Sequence, residues 1–507
     1  MRPARWFICT AAVAASTGAT TLIAQRASKD PLDGLSAYVE QMRQDWKVPG
    51  LALAIVKDDS VIFSRGFGIR ELGKPDPVDE HTMFAIASCS KAFTATLVGM
   101  LASDGKLAWD DRAADRMPGF QVFDPYVTRE LTLRDLLSHR SGLSRGDGLW
   151  YGTAFTRDEV VQRVRYLQPS WSFRSTYGYQ NIMFTAAGEI AAKAAGTTWD
   201  RLVREQIFLP LGMLETNTSV TALEGLANVA TPHEEIHDTI QVIGWRNVDN
   251  IGGAGSINST VADMAQWVRL QLRDGRLGDR RIVDSAVIAE THSPHTVIPR
   301  TGLLQKLVPE GHFYAYGMGW FLQDYRGRML IQHGGNLDGM SAYVALMPEE
   351  GVGFVMLSNL SGSPLRTPLQ YRIFDAFIGG GGRDWSREWK LATDSIVKEG
   401  KEREAKIDSS RITGTEPSLP VERFAGTYRH RMYGDFTLAI EDDKPVLRQG
   451  PAFVGDLDRW HFDTYRITWR DRSLGRDFVT FRLDPKGEPS EAVLGLQGEA
   501  VYTRSAP

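Results

Sequence analysis

Phe84-Ala85-Ile86-Ala87-Ser88-Cys89-Ser90-Lys91-Ala92-Phe93 runs from an apolar tetrad into a serine and, three residues later, a lysine. Phe93, Leu97, Met100 and Leu101 then recur at helical spacing until Gly105 ends the pattern. The spacing predicts a helix with Ser88 at or near its N-terminus and Lys91 one turn on, facing the same side. A serine hydroxyl becomes a nucleophile near neutral pH only with a base within hydrogen-bond reach. A lysine is such a base only if burial or nearby positive charge lowers its pKa, and residues 84–87 supply apolar surroundings. The helix N-terminus favours the negative charge of a tetrahedral intermediate. The same spacing at Ser103/Lys106 and Ser395/Lys398 falls in a turn and on a charged helix, which predicts surface positions. Ser90 has Phe93 three residues on and is read as supporting polar packing.

Outward from this segment, Leu35, Tyr38, Val39, Met42 and Trp46 mark an earlier helix. Leu51 to Val56 and Val61 to Phe67 form a hairpin across Asp58-Asp59-Ser60. Ala186 to Ala195 and Val261 to Leu272 read as helices among Gly- and Pro-marked loops. Met329 to His333, Ala342 to Met347 and Gly353 to Leu357 read as strands. Strands, then helices, then strands predict an α/β (α+β) fold, an antiparallel sheet flanked by helices and built from both ends of the domain. Trp385 to Lys406 is a last charged helix, and Ser409 to Pro420 is linker-like. Short strands Phe436 to Ile440, Tyr465 to Trp469, Phe478 to Leu483 and Ala492 to Leu494 predict a separate small all-β domain. The expected division is a signal peptide at 1–25, a main domain at 30–395, helix end and linker at 396–420, and a β domain at 421–507.

Two more elements bear on chemistry. Tyr179-Gln180-Asn181 supplies a phenol that can shuttle protons if its pKa is depressed, and an amide that can orient a lysine or a substrate carbonyl. His333-Gly334-Gly335 ends a predicted strand, where glycines would let a substrate backbone approach the edge. Taken alone, Tyr179 reads as a core aromatic and His333 as a packing histidine.

In the order Ser-x-x-Lys, Tyr-x-Asn, His-x-Gly, these residues resemble the serine hydrolases that include class C β-lactamases, penicillin-recognising D,D-peptidases, D-aminopeptidases and related esterases. The resemblance covers roughly residues 33 to 380 and extends to residues 131–143, 210–213 and 252–256. It implies an all-helical subdomain beside the sheet, no cofactor and no metal. It makes Ser88 the nucleophile, gives Lys91 and Tyr179 the base and acid roles, and assigns substrate contacts to Asn181, His333 and Gly335. Backbone N–H groups of Ser88 and Asn336 would form the oxyanion hole. True β-lactamases of this group usually carry lysine where His333 stands, while histidine is similar to certain D,D-peptidases and D-aminopeptidases, so efficient β-lactam hydrolysis is not expected. The segment with Phe424-Ala425-Gly426-Thr427-Tyr428 and Trp460 looks like the lipocalin-like, barrel-shaped module often appended to such hydrolases.

Across 507 residues, 42% hydrophobic and 24% charged content describes a globular chain. A net charge of −4 gives no basic footprint, so nucleic acid is not an expected partner; a small molecule or short peptide is. Arg2 and Arg5 before the apolar run from Trp6 predict an export signal cleaved near Gln25, a periplasmic or secreted product and no stable membrane insertion. Cleavage removes Cys9 and leaves Cys89 alone, which precludes an internal disulfide. Two rivals stand. His233-Glu234-Glu235-Ile236-His237 matches the zinc-protease pattern, which requires a helix. A penicillin sensor without turnover would share the fold. The resemblance and His333 point to a peptidase or amidase on small peptides, ones with D-residues included, with a carboxylesterase or weak β-lactamase on the same site as the alternative; oligomeric state, amide or ester bond and D or L preference are left open.

Overall fold

The computed structural model describes residues 30–495 and 499–505, so the expected signal peptide lies outside the described residues. Among the described residues no helix is long and apolar enough to cross a membrane. The first hairpin, β1 (Gly50–Lys57) and β2 (Ser60–Gly68), joins an eight-stranded antiparallel sheet. The remaining strands are β3 (Thr296–Val297), β4 (Tyr314–Tyr316), β5 (Phe321–Tyr325), β6 (Arg328–Leu337), β7 (Met340–Met347) and β8 (Val352–Ser358). The spatial order is β2-β1-β8-β7-β6-β5-β4-β3, with β1 antiparallel to β8 from Leu51 opposite Ser358 to Lys57 opposite Val352. Strands from both ends of the domain therefore pair within one sheet, as the order of elements predicts.

The unbroken apolar run of β1 follows from burial on both faces. Ala52, Ala54 and Val56 enter one core, and Leu51, Leu53 and Ile55 enter the other. The first core lies under helices α2 (Ser90–Ser103), α3 (Asn181–Ala195) and α4 (Val261–Leu272). The second is closed by α1 (Leu35–Asp45), α5 (Arg366–Ile378) and the start of α6 (Trp385–Ser409), whose Trp385 and Trp389 are buried. From Ser395 onward α6 is almost wholly exposed, which explains its charged sequence.

Beyond α6, eight antiparallel strands from Gly426–His430 to Ala500–Arg504 close into a barrel. Inward-facing Tyr428, Phe436, Leu447, Ile467, Val479, Phe481 and Ala492 fill its interior. Four of these eight strands are read from the sequence, and the closed ladder pairs the other four with them. The barrel sits against the main domain: Tyr151 and Phe453 rings are 6.2 Å apart, and Arg246 pairs with Asp471 at 2.7 Å.

Candidate active site

The nucleophile segment forms a 3-10 turn, Ala87–Cys89, that runs directly into α2. Ala87 adopts a left-handed φ of 45°, uncommon for a residue with a Cβ, in the turn that leaves Ser88 part-exposed. Ser90 accepts a hydrogen bond from Ile257 N at 3.2 Å, the packing role expected of it. Ser103, Lys106, Ser395 and Lys398 are all exposed.

Lys91 is fully buried. Its Nζ lies 3.1 Å from Ser88 Oγ, 2.7 Å from Asn181 Oδ1 and 2.9 Å from the Ala254 carbonyl. Burial, then the positive charge of Arg145, drive its pKa well below the usual lysine range. A neutral amine has two N–H bonds and one lone pair. The two carbonyl-type oxygens can only accept, so they take the N–H bonds and leave the lone pair facing the Ser88 hydroxyl.

Asn181 opens α3, where Gln180 caps the helix by accepting from Ile182 N at 3.0 Å. The Asn181 amide donates to Asp147 Oδ1 at 3.1 Å, which also accepts from Trp150 Nε1 at 2.9 Å; Arg145 forms an ion pair with the same carboxylate. Asn181 thus holds the lysine, a contact added to the substrate role expected of it. Arg145, Asp147 and Ala254 were not legible as individual site residues.

Tyr179 lies beside Lys91, whose Nζ is 4.8 Å from the ring centroid. Burial pushes the phenol pKa up, and its hydrogen bond with Ser88 offsets this only in part. The depressed pKa on which proton shuttling was conditioned is not what burial gives: Tyr179 is held as a neutral phenol. The His139 ring lies tilted against it, centroids 4.3 Å apart, with Nδ1 accepting from Gln180 N at 3.1 Å.

His333 is buried, with its pKa pushed down to about 3 by burial first and by Lys91 second. Its Nδ1 is 2.8 Å from the Gly334 carbonyl and its Nε2 is 3.0 Å from the Tyr316 hydroxyl. Both nitrogens are engaged inside the protein, so the imidazole supplies no cation to a substrate, in contrast to a lysine there. At Gly335 a Cβ would fall 2.1 Å from the Ile86 carbonyl oxygen and 3.2 Å from Ala87 Cβ, so the missing side chain admits the nucleophile turn against β6. Cys89 tightens the same contact through Sγ to the His333 carbonyl at 3.3 Å; burial pushes this thiol up to about 12, which makes it inert.

Beyond Gln332, paired with Phe321, β6 has no ladder partner on its β5 side. Asp338 and Gly339 form a two-residue turn closing on Leu337 opposite Met340. Antiparallel alternation then turns the Asn336 N–H away from β7, toward the nucleophile side. A carbonyl seated between Ser88 and this edge would meet two backbone donors.

The zinc pattern is overturned. His233–Ile236 is a strand, and His237 lies in the following turn with φ 51°. On a strand, residues four apart are separated by about 13 Å, too far to share one ion. His233 is buried, its Nδ1 3.0 Å from the Asn359 carbonyl and its Nε2 accepting from Leu72 N at 3.1 Å.

A family model described as Beta-lactamase matches residues 35–377, and one described as a domain of unknown function, DUF3471, matches residues 410–502. The chain is 28% identical over 449 residues to the Unguisins hydrolase ungD of Aspergillus violaceofuscus, covering 81% of this chain and 77% of that protein. It is 29% identical over 332 residues to Penicillin-binding protein 4 of Amycolatopsis lactamdurans, covering 63% and 83%. Among solved structures, the octameric penicillin-binding protein homologue from Pyrococcus abyssi superposes with a TM-score of 0.61 at 19% identity, over 93% of this chain and 100% of that one. A D-stereospecific amidohydrolase from Streptomyces sp. gives 0.55 at 18% identity, over 68% and 99%. The family match spans the sheet, the helices around the first core and every residue gathered around Ser88, and the chain belongs to the Beta-lactamase family of serine hydrolases.

Proposed function

We propose that this chain is an exported amidase or peptidase that cleaves small peptides, including ones with D-residues, through an acyl-enzyme on Ser88. The observation that carries the reading is the Lys91 amine, buried and 3.1 Å from Ser88 Oγ. In the first half-reaction Ser88 Oγ bonds to the carbonyl carbon and its proton passes to Lys91. The oxyanion is held by the N–H groups of Ser88 and Asn336. As the C–N bond breaks, the leaving amine takes the Tyr179 proton, which Lys91 replaces. Water then enters by the same route in reverse and releases the acid.

An amide with D-stereochemistry is favoured by the relative described as a D-stereospecific amidohydrolase and by a neutral His333 in the place of a β-lactamase lysine. Esters are the second reading, because the same machinery acts on any acyl group it can seat. Export rests on the basic and apolar pattern of residues 1–25. The barrel is assigned the role of narrowing the approach to the cleft. The test is a panel of p-nitrophenyl esters, aminoacyl anilides of both hands and nitrocefin, run on the wild type beside Ser88→Ala. Turnover of D-anilides that vanishes in Ser88→Ala is the expected result. Hydrolysis of L-anilides or nitrocefin alone would overturn the substrate assignment.

A further inference from the structure

We propose that Arg246 is a positioning residue for the reaction, carrying the docking of the barrel into the strand edge that presents Asn336. The inference rests on the Ser88 reading above. Arg246 Nε meets Asp338 Oδ2 at 2.7 Å, and its Nη2 meets Asp471 Oδ2 of the barrel at 2.7 Å. The Arg246 and Asp338 side chains are only 13% and 14% exposed. Asp338 opens the turn between β6 and β7, two residues beyond Asn336.

The same Asp338 oxygen accepts from the Tyr151 hydroxyl at 2.6 Å, and the Arg246 guanidinium lies over the Tyr151 ring at 5.2 Å. Tyr151 sits four residues beyond Asp147, which orients Asn181. One guanidinium therefore contacts both the turn after Asn336 and the loop that follows Asp147. The barrel side is fixed as well: Asp471 is oriented by Ser473, through N at 3.1 Å and Oγ at 2.6 Å. Within the main domain the turn is held by Gly339 N donating to Ser361 Oγ at 2.5 Å and by His233 N donating to the Gly339 carbonyl at 3.3 Å. With Arg246 removed, Asp338 and Asp471 would lose their shared cation, and the turn would be free to drift from the position that aims Asn336 N–H. An oxyanion donor works only when placed within tenths of an ångström of the developing charge, so the consequence belongs to kcat.

The experiment uses the full chain with a p-nitrophenyl ester and, as a tetrahedral mimic, phenylboronic acid. Asp471→Asn and Arg246→Gln are expected to lower kcat about tenfold with KM within about twofold, and to weaken boronate binding in parallel. The double variant should be no slower than Arg246→Gln, and Arg246→Lys should recover part of the rate. If Arg246→Gln fails to fold, Asp471→Asn at the more exposed rim decides. An unchanged kcat in Asp471→Asn, or a loss confined to KM, overturns the proposal while Ser88→Ala still abolishes turnover. Turnover retained in Ser88→Ala would instead overturn the site reading.

Discussion

Asp147 fixes which end of the Asn181 amide faces Lys91. By accepting from Asn181 Nδ2 at 3.1 Å it turns the carbonyl oxygen to the amine, 2.7 Å away. Reversed, the amide would offer N–H bonds to a group that must itself donate, and the lone pair would lose its direction toward Ser88.

The charges around that amide set the acidic limb of activity. Arg145 lowers the Lys91 pKa and Asp147 raises it, both behind burial as the main cause. Arg145→Gln removes a repelling cation and leaves Asp147 unpaired, so the ammonium becomes easier to form and the acidic limb of kcat/KM moves to higher pH. Asp147→Asn keeps an acceptor for Asn181 but removes the anion, so the limb moves to lower pH. Profiles of the two variants that shift the same way would sink the assignment of that limb to Lys91.

Covalent labelling separates the three Ser-x-x-Lys pairs. A serine-directed fluorophosphonate should add to Ser88 alone, and Ser88→Ala should abolish both the mass shift and turnover. Ser103→Ala and Ser395→Ala, at exposed positions, should leave both intact. Lys91→Ala should cost about a thousandfold or more in rate, because nucleophile and base act as one unit. An adduct on a different serine, mapped by peptide mass spectrometry, would refute the assignment.

The sequence exposed whatever is periodic or local. Val261 to Leu272 was readable as a helix to the residue, since its apolar face repeats every turn, and Ser88 with Lys91 was readable because one turn of helix brings them together. Arg145 and Asp147 were silent, and Ala254 showed only as part of residues 252–256, because they reach Lys91 from loops and a short turn whose placement only tertiary packing determines. The close approach of Ile86 to Gly335 was silent for a related reason. A glycine signals that something comes close, and the sequence does not say whether that something is a ligand or the chain itself.

Buried imidazoles should make stability fall with acid. His333 and His292 are each held neutral by burial, with pKa pushed down to about 3 from 6.5. As pH falls below 6.5 the unfolded chain takes up these protons and the folded chain does not until about 3, so stability is complete above 6.5 and declines through that window. Each such histidine contributes a slope approaching about 1.4 kcal/mol per pH unit. His292 packs edge-on against Trp320, so His292→Phe should flatten the dependence of the thermal midpoint on pH between 6.5 and 4. Kinetic constants at pH 7 should stay near wild type. An unaltered slope would show that other groups govern acid unfolding.

Adjacent glycines on β6 should respond differently to a single methyl group. At Gly335 the added Cβ meets the Ile86 carbonyl oxygen at 2.1 Å, and backbone on both sides cannot yield without parting β6 from the nucleophile turn. At Gly334 it meets Arg366 Nη1 at 3.1 Å and Tyr343 Cδ2 at 3.3 Å, and the guanidinium at least can swing aside. Gly335→Ala should therefore separate Ser88 from Asn336 and lower kcat by about a hundredfold or more, the scale of a lost oxyanion donor. Gly334→Ala should retain activity within about tenfold, a cost set by a displaced side chain rather than by backbone. Equal losses in the two variants would mean that β6 as a whole, rather than its contact with the nucleophile turn, tolerates no added bulk, and the close approach of Gly335 to Ile86 would lose its special standing.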